Sequence, residues 1–168
     1  ERMSASPFAF FRGAAAVMAA DLARSPHTGL QAQLCGDAHL SNFGMFASPE
    51  RHMLFDINDF DETYPGPWEW DLKRLAASLV VAGRENDFSR KQIRKAVLAT
   101  VGQYRDAMAT FARQGNLEVW YARIDIAEAQ RDLADVLDAR MSRRLDKAVA
   151  KTEFRLMLER AGYRVEGP

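Results

Sequence analysis

Residues 35–61 read CGDAHLSNFGMFASPERHMLFDINDFD. Leu30 to Leu34 before them reads as a short strand, and Gly36 permits a tight backbone path, so Asp37 projects from a loop above the strand end. Phe43 to Phe46 and His52 to Ile57 flank Ser48-Pro49-Glu50-Arg51, which is turn chemistry, so this part reads as a β-hairpin. A second loop follows over Asp61 to Pro67. The stretch therefore predicts a small antiparallel sheet or hairpin whose loops bring Asp37, His39 and Asn42 towards Asn58, Asp59 and Asp61.

Working outward, Ser6-Pro7 reads as an N-cap and first-turn proline that open a helix from Pro7 to about Ala23. Trp68 to Ala82 is the next predicted helix, with Gly83 as its stop. A third begins at the Ser89–Gln92 capping box, with Phe88 and Ile93 as a hydrophobic staple. Its apolar positions Ile93, Val97, Val101, Tyr104, Met108 and Phe111 recur at helical spacing until Gly115. Asn116 to Asp125 is ambiguous, and Ile126 to about Ala161 reads as one long helix or two shorter ones. The expected class is α+β and mostly helical: loops over 30–71 carried by a small sheet, then a helical block over 72–168. A chain of 168 residues fits one domain or a large piece of one.

Composition narrows the function classes. Apolar residues make up 48% and charged residues 27%, so the chain can fold around a core. Acids and bases balance at 23 each, leaving no basic field for nucleic acid. The single cysteine, Cys35, excludes an internal disulfide framework and a multi-thiolate zinc site. Apolar runs such as Leu75 to Ala82 are too short to span a bilayer, and the first residues lack the order of a signal peptide. The expectation is a cytoplasmic protein without a nucleic-acid or membrane partner. The missing initiator Met and the Gly167-Pro168 end read as a piece of something longer.

The polar motifs point to phosphate chemistry. Magnesium takes hard oxygen ligands, one or two of them carboxylates, with water and phosphate completing the shell. A carboxamide from Asn42 and a carboxylate from Asp59 form such a pair, and Asp37 can accept a proton from a hydroxyl. An Asp, an Asn five residues on, and an Asp before an aromatic residue are the working parts of the kinase template. Each also has a bland reading. Asp37 is common turn chemistry, Asn42 can cap the hairpin entry, and His39 is more often structural than a ligand. Arg12 in FFRG reads first as a snorkelling cation or an acid's partner, with a phosphate contact as the alternative.

Cys35 to Asn42 resembles the HGDxHxxN loop of aminoglycoside phosphotransferases and choline-kinase-like enzymes, within the protein-kinase-like superfamily. Ile57 to Asp61 is similar to their metal-binding segment, and Gly66-Pro67-Trp68-Glu69-Trp70-Asp71-Leu72 to their later helix start. SPFAFFRG, CGDAHLSNFG, FDINDFDE and PGPWEWDLKRLAASLVVA, taken together, resemble the bacterial domain of unknown function 2252 family. The resemblance implies Asp37 as catalytic base, Asn42 and Asp59 as magnesium holders, and Asp71 as a brace for the loop. His39, Asp61 and Arg12 are further candidates. It implies ATP and Mg2+ as cofactors and a hydroxyl-bearing acceptor of unspecified class. Cys35 stands where most relatives have His. No two glycines form GxG, and no lysine sits on a convincing strand before the loop. The phosphate-clamping half is expected outside this chain, which alone should not turn over. The alternatives are a metal-dependent phosphohydrolase using Asp37, His39, Asp56 and Asp59, and a non-catalytic pseudokinase.

Overall fold

The computed structural model describes residues 2–50 and 52–126; the helix or helices expected from Ile126 to Ala161 lie outside these. The architecture is α+β. Two compact units are distinguished, one of Glu1–Phe43 with Ile57–Ala122, the other of Gly44–Asp56 with Arg123–Pro168. Among the described residues no helix is long and apolar enough to cross a membrane.

In the first unit, Ser6 accepts a hydrogen bond from Ala9 N–H at 3.1 Å and Pro7 fills the first helical position, which opens α1 (Pro7–Arg12). The helix expected to run on to Ala23 instead breaks at Gly13-Ala14 and resumes as α2 (Ala15–Leu22). The break falls at Gly13, and Arg74 binds the chain there, donating to the carbonyl oxygens of Phe11 at 3.0 Å and Arg12 at 3.3 Å; the Phe11 carbonyl also accepts from Ala14 N–H. At the other end, Glu85 accepts from Phe8 N–H at 2.9 Å.

Strand β1 (Gln31–Leu34) pairs antiparallel with β4 (Tyr64–Pro67), Gln31 opposite Pro67 and Leu34 opposite Tyr64. This corrects the second half of the loop expected over 61–67: residues 64–67 form a strand, while 61–63 remain loop. Prolines 65 and 67 lack an N–H, which a strand in a two-stranded sheet tolerates because one of its edges is free. Helix α3 (Glu69–Glu85) starts directly after β4, with Glu69 and Asp71 in its first turn favouring the positive end of the helix dipole. Gly83 does not end it. It lies inside the helix, where a β-carbon would come within 2.7 Å of Ile93 Cγ1, so its bareness lets α3 and α4 (Arg90–Phe111) approach closely. The Ser89–Gln92 capping box opens α4 in both directions, with Gln92 N–H on Ser89 Oγ at 3.3 Å and Ser89 N–H on Gln92 Oε1 at 2.9 Å. Trp68 stacks on Tyr104 of α4 at 5.7 Å between ring centres. A short α5 (Asn116–Trp120) resolves the ambiguous segment. Trp120 and Tyr121 are exposed rather than packed between helices.

The hairpin is as expected: β2 (Phe43–Ala47) and β3 (Met53–Ile57) form the second sheet, and Ser48 N–H closes the turn on the His52 carbonyl at 2.9 Å. Most of the hairpin belongs to the second unit, where His52 Nδ1 lies 2.9 Å from Asp125 Oδ2 and Phe55 N–H bonds the Ile124 carbonyl.

Candidate functional site

The loop after β1 is held by one face of α3. Asp71, Arg74 and Ser78 are spaced so that their side chains emerge on the same side of the helix. The Asp71 carboxylate accepts from Cys35 N–H at 2.8 Å and Gly36 N–H at 3.1 Å. Arg74 donates through Nε to Asp37 Oδ1 at 2.6 Å, and its Nη2 pairs with the same oxygen. Ser78, fully buried, accepts from Leu40 N–H at 3.0 Å and donates to the Leu75 carbonyl. The three side chains thus read the loop in order, a polar stripe on a helix that is otherwise rich in Leu, Ala and Val. Gly36 adopts a positive φ of 82°, which glycine accommodates freely, and a β-carbon there would overlap the Glu62 carbonyl oxygen.

Burial sets the chemistry of the loop's titratable groups. Cys35 has its thiol pushed up to about 12, chiefly by burial and then by the Asp71 charge, so it stays protonated and unreactive. His39 is buried at 5% exposure. Its Nδ1 accepts from Ser41 N–H at 3.1 Å, so the ring proton sits on Nε2, which faces Asp37 Oδ2 at 3.3 Å. Burial lowers the His39 pKa below its ordinary value, the Arg12 and Arg74 charges lower it further, and Asp37 opposes them. The lowered pKa favours the neutral imidazole, whose Nε2 lies close to Asp37 Oδ2.

Asn42 joins the two loops. Its amide nitrogen donates to the Asp37 carbonyl at 3.1 Å and the Asp59 carbonyl at 3.0 Å. Both amide hydrogens are spent on backbone oxygens, which leaves Oδ1 as the polar atom available to another group. Asn58 N–H returns a bond to the Asn42 carbonyl at 2.8 Å, closing the root of the hairpin. Asp59 is exposed, and its Oδ1 accepts from Asp61 N–H at 3.1 Å.

Arg12, Asp37, His39, Asn42, Asn58 and Asp59 line one cavity of about 600 Å3. Three of the residues singled out from the sequence do not line it: Asp56, Asp61, whose backbone N–H bonds Asp59, and Asp71, which stands behind the loop as a brace. Asp56 lies on β3 in the second unit. Among the described residues no three His, Cys, Asp or Glu side chains are grouped to hold a metal ion. An ion at Asn42 and Asp59 would have those two hard oxygen donors and take its remaining ligands from water or phosphate, which suits magnesium better than zinc.

Over nearly its whole length, residues 1–166, the chain matches the family described as "Uncharacterized protein conserved in bacteria (DUF2252)". It belongs to that family. Neither a curated protein nor a solved structure matches it. For this member of the DUF2252 family, Arg74 is the site residue that sequence reasoning passed over. Its signal was a cation three residues after Asp71 and four before Ser78, on the face that should have been apolar.

Proposed function

We propose that the cavity supports magnesium-dependent phosphoryl transfer from ATP to a hydroxyl of an acceptor, as in kinase-like phosphotransferases. One observation carries this reading: Asp37, Asn42 and Asp59 line a single cavity, and the Asn42 amide is turned so that its nitrogen is committed and its oxygen is not. Phosphoryl transfer asks a protein mainly to position groups and neutralise charge, and these residues are suited to both tasks.

Asp37 orients the acceptor hydroxyl and receives its proton. Arg74 binds Oδ1 and His39 Nε2 lies 3.3 Å from Oδ2, and a carboxylate offers about four lone-pair sites, so capacity remains. Arg74 fixes the plane of the carboxylate and offsets its buried charge. Neutral His39 holds Oδ2 without adding charge. Asn42 Oδ1 and the Asp59 carboxylate would hold the magnesium ion, which when bound neutralises charge on the phosphoryl oxygens.

The test is thermal stabilisation of the protein by ATP with and without magnesium, repeated on Asp59→Ala. Stabilisation that needs both ligands and disappears in the variant is expected. Stabilisation by zinc or manganese without nucleotide, together with phosphoesterase activity, would overturn the reading in favour of a hydrolase. Nucleotide binding without any transfer in a longer chain would mark a pseudokinase.

A further inference from the structure

We infer that Arg12 is the phosphate-binding cation of this cavity and that the site takes a polyphosphate anion opposite Asn42 and Asp59; the inference deepens the phosphotransfer reading and rests on it. Two arginines stand near Asp37, and they differ in what they are free to do. Arg74 is buried at 3% exposure and its guanidinium is consumed by Asp37, the α1 carbonyls, a long contact to Met18 Sδ, and the face of Phe11 at 4.6 Å. Arg12 is exposed, lines the cavity, and forms no ion pair among the described residues.

Its backbone is nevertheless fixed relative to the reacting centre. Arg74 bonds the Arg12 carbonyl and the Asp37 carboxylate at once, so one buried guanidinium ties the end of α1 to the loop. The Arg12 side chain then reaches out from an anchored Cα, and its charge is felt at His39. An anchored, unpaired guanidinium is a planar fork of donors that matches phosphate oxygens.

Charge balance selects the ligand. Asp37 and Arg74 cancel formally, His39 is neutral, and Asp59 and Arg12, which both line the cavity, cancel as well. Any divalent cation held by Asn42 and Asp59 leaves the cavity net positive, so the remaining ligand must be an anion. No other cationic residue lines the cavity among the described residues, and the chain has no GxG segment to cradle phosphate with backbone N–H groups. Among the described residues Arg12 is therefore the cation placed to meet that anion.

Calorimetric titration with inorganic tripolyphosphate, with and without magnesium, tests this on the parent chain, Arg12→Ala, Arg12→Lys and Asp59→Ala. The parent should bind, Arg12→Ala should bind at least roughly ten-fold more weakly, and Arg12→Lys should recover part of the loss because it keeps the charge but not the fork. Far-UV circular dichroism checks that the variants remain folded, as expected for an exposed side chain. Binding by Arg12→Ala within two-fold of the parent overturns the assignment, and so does a parent that does not bind. The two readings fail separately. If magnesium-ATP stabilisation is lost in Asp59→Ala while tripolyphosphate binding ignores Arg12, phosphotransfer stands and Arg12 drops out. If binding follows Arg12 but ignores both magnesium and Asp59, the anion site stands and phosphotransfer falls.

Discussion

The two loops that meet at the cavity are built in opposite ways. In the 35–42 loop, backbone and side-chain groups are held by residues far away in sequence: Asp71, Arg74 and Ser78 all reach it from α3. In the 58–62 loop the residues are exposed, and its bonds are short-range, apart from those it shares with Asn42. Phe60 itself is 53% exposed. The contrast separates two jobs. A group that must keep one orientation is locked by a helix face, whereas a group that meets a ligand is shaped by a local turn and left in solvent.

If the first loop is locked in this way, removing the lock should produce the largest effect in the molecule. Arg74→Met leaves the half-buried Asp37 carboxylate without its counter-charge and the Arg12 carbonyl without its side-chain donor, and should cost about 3 kcal/mol in urea unfolding. Adding Asp37→Ala to that variant should return part of the loss, because the stranded charge is then gone. A cost below about 1 kcal/mol for Arg74→Met would erase the distinction between the loops.

Gly36 is where the two loops touch, so it sharpens the comparison. Gly36→Ala adds strain at a positive φ and pushes against the Glu62 carbonyl, and should cost at least about 2 kcal/mol. Gly29 shares the backbone conformation, φ 83°, but has open space around it, so Gly29→Ala should cost only about 1 kcal/mol. The difference between the two melts measures the contact between the loops alone. Equal losses would mean that the loops part without penalty.

A smaller effect is expected from pH. His39 has its pKa lowered by burial first, then by Arg12 and Arg74, so below about pH 6.5 the unfolded chain takes up a proton that the folded protein excludes. Stability is therefore full above that pH and falls as the pH drops. His39→Gln, which keeps a donor for Asp37 and an acceptor for Ser41 N–H, should flatten the fall in melting temperature between pH 7.5 and 5.5. A slope unchanged in the variant would assign the acid sensitivity elsewhere.

What was legible in the sequence follows the reach of each interaction. The Ser6-Pro7 start of α1 and the Ser89–Gln92 box of α4 are made within three residues and were read directly. So were the hairpin and the gathering of Asp37, Asn42 and Asp59, because a tight turn returns the chain to its starting point. The break in the first helix was not read, although Gly13 sits at it; the Arg74 bonds that accompany it come from 62 and 63 residues away. Strand β4 was missed because YPGP has the composition of a turn and becomes a strand only beside β1. Arg74 was missed for a related reason: a cation in a helix reads as surface until its buried partner, 37 residues earlier, is known.

Asp59 should show a small stability effect and the clearest functional one. It is exposed, and Asp59→Ala removes one side-chain acceptor for the Asp61 N–H while leaving the Asn42 bond to its own carbonyl in place. The cost should stay below about 1 kcal/mol. Asp61→Ala should cost less still, because the N–H that bonds Asp59 belongs to the backbone and survives the change. The two variants should therefore melt almost alike yet respond differently to magnesium and ATP, with only Asp59→Ala losing the ligand-induced shift. Two exposed acids two residues apart differ little in bulk electrostatics, so a response confined to one of them identifies a specific donor rather than a diffuse acidic surface. Equal loss in both would reduce the second loop to a patch of charge.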